Sequence, residues 1–105
     1  MNPDVKRKWV KALRSGKYKQ TKECLRDNDG YCCLGVLTQL YANEKHIAFE
    51  KVKKGYSEEN LCPAVREYAG LKKADPCVKK VHLSTWNDNK GADFKKIADL
   101  IERNL

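Results

Sequence analysis

Arg14, Ser15, Lys17, Tyr18, Gln20 and Arg26 crowd into the stretch ALRSGKYKQTKECLRDNDGYCCLGVL, residues 12–37. Two guanidinium groups offer paired hydrogen bonds to phosphate or carboxylate. Ser15 and Gln20 add neutral donors, and Tyr18 offers a ring on which a base can stack. If the turn at DNDG folds Arg26 back, these groups make an anion site. Asn87 and Asp88, in WNDNKG, are the polar partners expected to line the same cleft. The chemistry is binding rather than turnover. LRSGKYKQ is no phosphate loop, because it lacks the G-x-x-x-x-G-K-[ST] spacing. A plainer account competes with the anion site. A helix ending near Ser15 carries partial negative charge there, and cations in its last turn stabilise it. On that account an Arg here pairs with Asp27 or Asp29.

Five cysteines (Cys24, Cys32, Cys33, Cys62, Cys77) and two histidines (His46, His82) are the remaining chemical candidates. No C-x-x-C pair exists, and the adjacent Cys32 and Cys33 project in different directions, so no zinc site is expected. Free cysteines serve as small buried hydrophobes. DNDG and NDNKG are rich in oxygen but lack the Gly-to-Glu spacing of a calcium loop. Thiol catalysis needs a His beside the Cys and a third orienting group. Spacing places neither histidine near a thiol. The expectation is a non-enzymatic protein with no metal and no cofactor.

The charge pattern says more about a partner. The chain has 105 residues, enough for one domain, and a net charge of +8. Residues 1–26 hold nine cations and two anions, +7, whereas residues 27–105 amount to +1. Such asymmetry suits a nucleic acid, a nucleotide or an acidic protein face. It also suits a basic surface that merely keeps a small protein soluble. Lys6, Lys8, Lys11 and Arg14 can track a phosphate backbone. FKKIADLIERNL ends the chain with no recognition helix after it, which argues against sequence-specific DNA reading. The N-terminus MNPDVKRKWV lacks an apolar leader, and no run approaches membrane length. A cytoplasmic protein with reduced thiols and no membrane partner is expected. A symmetric homodimer is compatible with its size.

These side chains need elements to hold them. Residues 3–15 read as a helix capped by Asn2, opened by Pro3 and stopped by Gly16. Val5, Trp9, Ala12 and Leu13 form its apolar face, and the cations take the rest. DNDG predicts a short hairpin. Cys33–Asn43 reads as a helix with Leu34, Leu37, Leu40 and Tyr41 inward; Gly35 within it allows another backbone to come close. Alternation of Ile47, Phe49 and Val52 predicts a strand over 46–53. Pro63–Ala69 reads as a helix with Gly70 as its stop. VKKVHLSTW is ambiguous between a strand and a short helix after Ser84. ADFKKIADLIERNL is the clearest helix, with Phe94, Ile97, Ala98 and Ile101 on one face. The sum is an α+β fold, a mostly helical single domain with a small antiparallel sheet.

Three segments, KWVKALRSGKYKQ…CLRDNDGYCCLGVL, LCPAVREYAGL and WNDNKGADFKKIADLIE, occur in that order along nearly the whole chain. Together they resemble a family of small, mostly uncharacterised proteins encoded by tailed bacteriophages and prophages. The pattern is W-x-x-A-L-R-S-G-x-Y-x-Q, then C-C-L-G-V-L, then L-P-x-x-V…G-L, then L-N-D-x-G-x-S-F-x-x-I-A-D-x-I-E. This chain departs from it at Cys62, at Trp86 in place of Leu and at Asp93 in place of Ser. The resemblance implies a phage origin and little chemistry. By analogy with other small phage proteins, it implies an accessory factor acting on a host component, such as a nucleotide signal of antiviral defence or a host complex.

Overall fold

The computed structural model describes residues 1–105. The first helix, α1 (Pro3–Arg14), begins where Asn2 Oδ1 accepts the N–H groups of Asp4 and Val5. Its buried face is Val5, Trp9, Val10 and Leu13. Val10 takes the place expected of Ala12, which is only half-buried. The chain then turns at Gly16, whose φ of +78° lies in the left-handed region.

A two-residue hairpin follows, β1 (Arg26–Asp27) and β2 (Gly30–Tyr31), in the register Arg26↔Tyr31 and Asp27↔Gly30. Asp27 Oδ1 accepts the N–H groups of Asp29 and Gly30, so the aspartate closes its own turn.

Helix α2 (Cys33–Lys45) runs through the centre. Every residue from Cys33 to Thr38 is buried, as an all-round apolar surface demands. Leu34 and Leu37 are in the core as expected, while Leu40 and Tyr41 lie at its margin. A side chain at Gly35 would overlap the Leu25 carbonyl, so the expected close backbone approach is real.

The strand expected over 46–53 does not form. The segment holds a single helical turn, α3 (Phe49–Val52). Phe49 and Val52 are both buried, three residues apart, which a helical turn satisfies and an alternating strand does not. Ile47, which a strand would place beside Phe49, is 40% exposed.

Helix α4 (Pro63–Ala69) has the expected bounds, and Gly70 ends it at φ +68°. The ambiguous stretch after it contains both candidate structures. A hairpin, β3 (Cys77–Val78) and β4 (Val81–His82), leads directly into α5 (Leu83–Asp88). Lys79 and Lys80 take positive φ at its two-residue turn, the backbone that matches strand twist. Trp86 Nε1–H donates to the Val78 carbonyl at 3.1 Å and ties the hairpin to α5.

Helix α6 (Phe94–Asn104) is capped by Asp93, whose carboxylate accepts the Lys96 N–H at 2.9 Å. Aspartate is itself a good N-cap, so the helix starts here without the serine that the resemblance implies. α6 packs along α1, the most extensive contact between elements. The fold is α+β as expected and mostly helical, with its strands divided between two small antiparallel hairpins. One apolar core joins α1, α2, α4, α5 and α6, and the radius of gyration is 12.2 Å.

Candidate anion-binding face

Because the core claims Val5, Trp9, Val10 and Leu13, α1 must turn Lys6, Arg7, Lys8, Lys11 and Arg14 outward. Trp9 fixes the rotation: its Nε1–H donates to the buried Cys33 carbonyl at 2.9 Å. Between α1 and the end of α6 lies an open groove of about 520 Å³, bordered by Lys6, Arg7, Val10, Lys11, Arg14, Ser15 and Glu102. A second hollow of about 290 Å³ adjoins it across Lys11 and Ser15, and adds Lys8, Ala12, Lys17, Tyr18 and Leu40.

The cations here are not equivalent. Arg14 spans to α6, its guanidinium 2.6 Å from Asp99 Oδ1 and 3.0 Å from Glu102 Oε2. Its hydrogen bonds hold both carboxyls below their usual range, and the two carboxylates raise its own pKa further. The partner expected from sequence, Asp27 or Asp29, is not the one it finds. Arg14 is thus a strap between helices whose charge is already answered. Arg7 pairs with Asp4, and Lys8 stands 3.6 Å from Glu44. Lys6, Lys11 and Lys17 have no carboxylate within ion-pair distance. Ser15 Oγ–H donates to the Ala12 carbonyl at 2.7 Å, and its oxygen accepts the Lys17 N–H at 3.1 Å. It therefore finishes α1 and positions Lys17. Tyr18 is half-buried, edge-on to Tyr31 with ring centres 5.2 Å apart, and burial raises its pKa.

The other candidate residues lie elsewhere. Gln20 and Asn87 form an internal joint. Asn87 is fully buried; its Oδ1 accepts from Gln20 Nε2 at 2.9 Å and from the Cys33 N–H at 3.2 Å. Its Nδ2 donates to the Thr21 carbonyl and to Asp88 Oδ1, each at 2.8 Å. Gln20 Nε2 also reaches the Ala92 carbonyl at 2.9 Å. These amides weld the 20s loop, α2 and α5 together, and the buried Asn87 presents nothing to a ligand. Asp88 borders an acidic hollow with Glu23, Glu59, Cys24 and Cys32. Arg26 lies over the rings of Tyr31 and Phe49, 5.3 and 5.4 Å from their centres. It faces a hollow of mixed charge with Asp27, Glu50, Lys53 and Glu58. So Arg14, Ser15, Lys17 and Tyr18 share one face, while Gln20, Arg26, Asn87 and Asp88 do not join it.

No three His, Cys, Asp or Glu side chains come together as a metal site. No helix is long and apolar enough to cross a membrane. One pairing that spacing did not reveal does occur: Cys77 meets His82 across the second hairpin, Sγ to Nδ1 3.3 Å. The signal was there in CVKKVH, where two lysines between valines leave the flanking residues opposite one another.

These features define a small α+β domain with a cationic helix face and a tightly bonded interior. The chain belongs to the family described as Domain of unknown function (DUF8296), which it matches over residues 1–105. No curated protein and no solved structure matches it.

Proposed function

We propose that this chain is a phage- or prophage-encoded, non-enzymatic accessory protein that binds an anionic host partner through the outer face of α1. The carrying observation is the trio Lys6, Lys11 and Lys17. None of them forms an ion pair, and all three border one continuous pair of hollows. An open strip of point charges fits the backbone of a nucleic acid better than a compact nucleotide, which calls for an enclosed, largely apolar pocket. Tyr18 lies half-buried at the end of the strip, and its ring supports a contact with an unpaired base. The phage assignment is supported by the sequence resemblance, and the binding by the charge geometry.

The test is fluorescence anisotropy with a labelled DNA duplex of arbitrary sequence, titrated at several salt concentrations. Affinity should fall with salt and be indifferent to sequence. Replacing Lys6, Lys11 and Lys17 with Gln should flatten the log–log salt slope by about 2–3, since each phosphate contact contributes roughly 0.9. Arg14→Gln should change it less. An unchanged slope in the triple variant, or no binding at low salt, would refute the reading.

A further inference from the structure

Four of the five thiols are held in ways that suppress reaction. Cys33 and Cys62 are buried. Cys32 is buried too, accepts the Gly35 N–H at 3.4 Å, and burial pushes its thiol up to about 12. Cys24 is half-buried with Sγ 3.6 Å from Asp27 Oδ2; burial, then the carboxylate, raises its pKa. A carboxylate can only accept, so it keeps that sulfur protonated.

Cys77 stands in the opposite environment. It is half-buried like Cys24, but its neighbour is an imidazole rather than a carboxylate. His82 Nδ1 lies 3.3 Å from the sulfur and 2.8 Å from the Asp75 carbonyl oxygen. A carbonyl oxygen can only accept, so Nδ1 carries the proton and shares it with the sulfur. An N–H at this distance stabilises the negative charge a sulfur carries when it attacks. Lys79 and Lys80 form the turn between the pair, and Lys72 and Lys73 precede it. The carboxylate of Asp75 is occupied by the N–H and O–H of Ser84. The hairpin is fixed at both ends, by Trp86 on Val78 and by the Leu83 N–H on the Pro76 carbonyl at 2.8 Å. The pair is therefore a built arrangement: nucleophile, donor and a third group that orients the donor.

We propose that Cys77 is a site of reversible S-thiolation by low-molecular-weight disulfides, assisted by His82. The Cys77 thiolate, its proton lost to solvent, attacks one sulfur of the disulfide. A Cys77–S–S–R bond forms and the R–S–S–R bond breaks. The departing thiolate leaves with the electron pair and takes a proton from water. Cys77 is oxidised and the leaving sulfur is reduced in the same step. The proposal is independent of the anion-binding reading.

Reduced full-length protein is treated with glutathione disulfide, quenched by acid and mapped by peptide mass spectrometry. Cys77 should be modified first, at least about fivefold faster than Cys24. The exposed change His82→Gln should slow Cys77 by about fivefold or more and leave the urea midpoint unchanged. Cys77→Ser should remove the fast phase. Modification of Cys24 first, or an unaltered Cys77 rate in His82→Gln, overturns the proposal.

Discussion

Replacing Asn87 with Leu tests the internal joint on which the arrangement of this fold depends. The two side chains branch alike but Leu is the bulkier, so the change removes hydrogen bonds and also crowds a fully buried site, which adds to the loss. Four bonds go, but their losses differ. Gln20 keeps the Ala92 carbonyl, and Asp88, only half-buried, can turn to water. The Cys33 N–H, at the start of α2 and with no exposure, is left with nothing. The half-buried Thr21 carbonyl is partly stranded. A buried polar group without a partner costs about 1–3 kcal/mol. The sum for one full and one partial loss is about 2–4 kcal/mol, a large part of the roughly 5–15 kcal/mol that holds such a domain together. Urea unfolding, followed by Trp9 and Trp86 fluorescence in reducing buffer, should show a midpoint lowered by about 1–2 M at unchanged slope. Asn87→Asp adds a sign test. It keeps the acceptor for Cys33 but sets a carboxyl against the Thr21 carbonyl and Asp88, both of which need a donor. Its folded pKa must then rise above the unfolded value of about 3.9, so the variant's stability relative to the wild type is greatest below that pH and falls as pH increases. A loss under about 1 kcal/mol for Leu, or an Asp variant indifferent to pH, would refute the reasoning.

Two further predictions concern other joints. Arg14 holds Asp99 and Glu102 below the ordinary carboxyl range, so the stability they add is present above their unfolded pKa values and lost as pH falls through the folded ones. In Arg14→Gln, acid unfolding below about pH 5 should lose that component, seen as a flatter stability–pH curve by circular dichroism. Gly35→Ala should destabilise by about 1–3 kcal/mol in urea melts although Ala is the better helix former, because its methyl group meets the Leu25 carbonyl; a neutral or stabilising result would show that the 20s loop gives way freely.

Where the sequence carried both a cap and a period, the elements were legible. Asn2-Pro3 opens α1, Pro63 and Gly70 bracket α4, and the apolar spacing from Phe94 to Ile101 defines α6. Gly35 was legible as a contact because a glycine inside a helix otherwise lacks a reason. The strand over 46–53 fails because only Ile47 and Phe49 fit a period of two; the three-residue step from Phe49 to Val52 is a helical spacing, and both of those residues are buried. The second hairpin was obscure for another reason. Its turn uses Lys79 and Lys80 at positive φ, where Asn and Gly are the usual signals. The site was half legible. Charge per segment can be counted, but side-chain direction cannot. Arg14 finds its carboxylates 85 and 88 residues away, and Asn87 reaches Gln20 67 residues away. No local spacing announces such pairs, so polar groups that look available in the sequence are consumed by the fold.

Helix stability does not account for the cations in the first half of α1. A helix gains from positive charge at its C-terminal turn and from negative charge at its first. Lys11, Arg14 and Ser15 serve the C-terminal end of α1. Lys6, Arg7 and Lys8 lie in its N-terminal half, where the dipole opposes them. Arg7 and Lys11, at i,i+4, and Lys8 and Lys11, at i,i+3, repel one another on the same surface. Solubility needs net charge but not its concentration: the +7 of residues 1–26 spread over the whole surface would serve as well. A helix left to itself is better off without this pattern. A helix that meets a negatively charged partner along its length is not, because each unpaired lysine then exchanges mutual repulsion for a phosphate contact and releases a counterion.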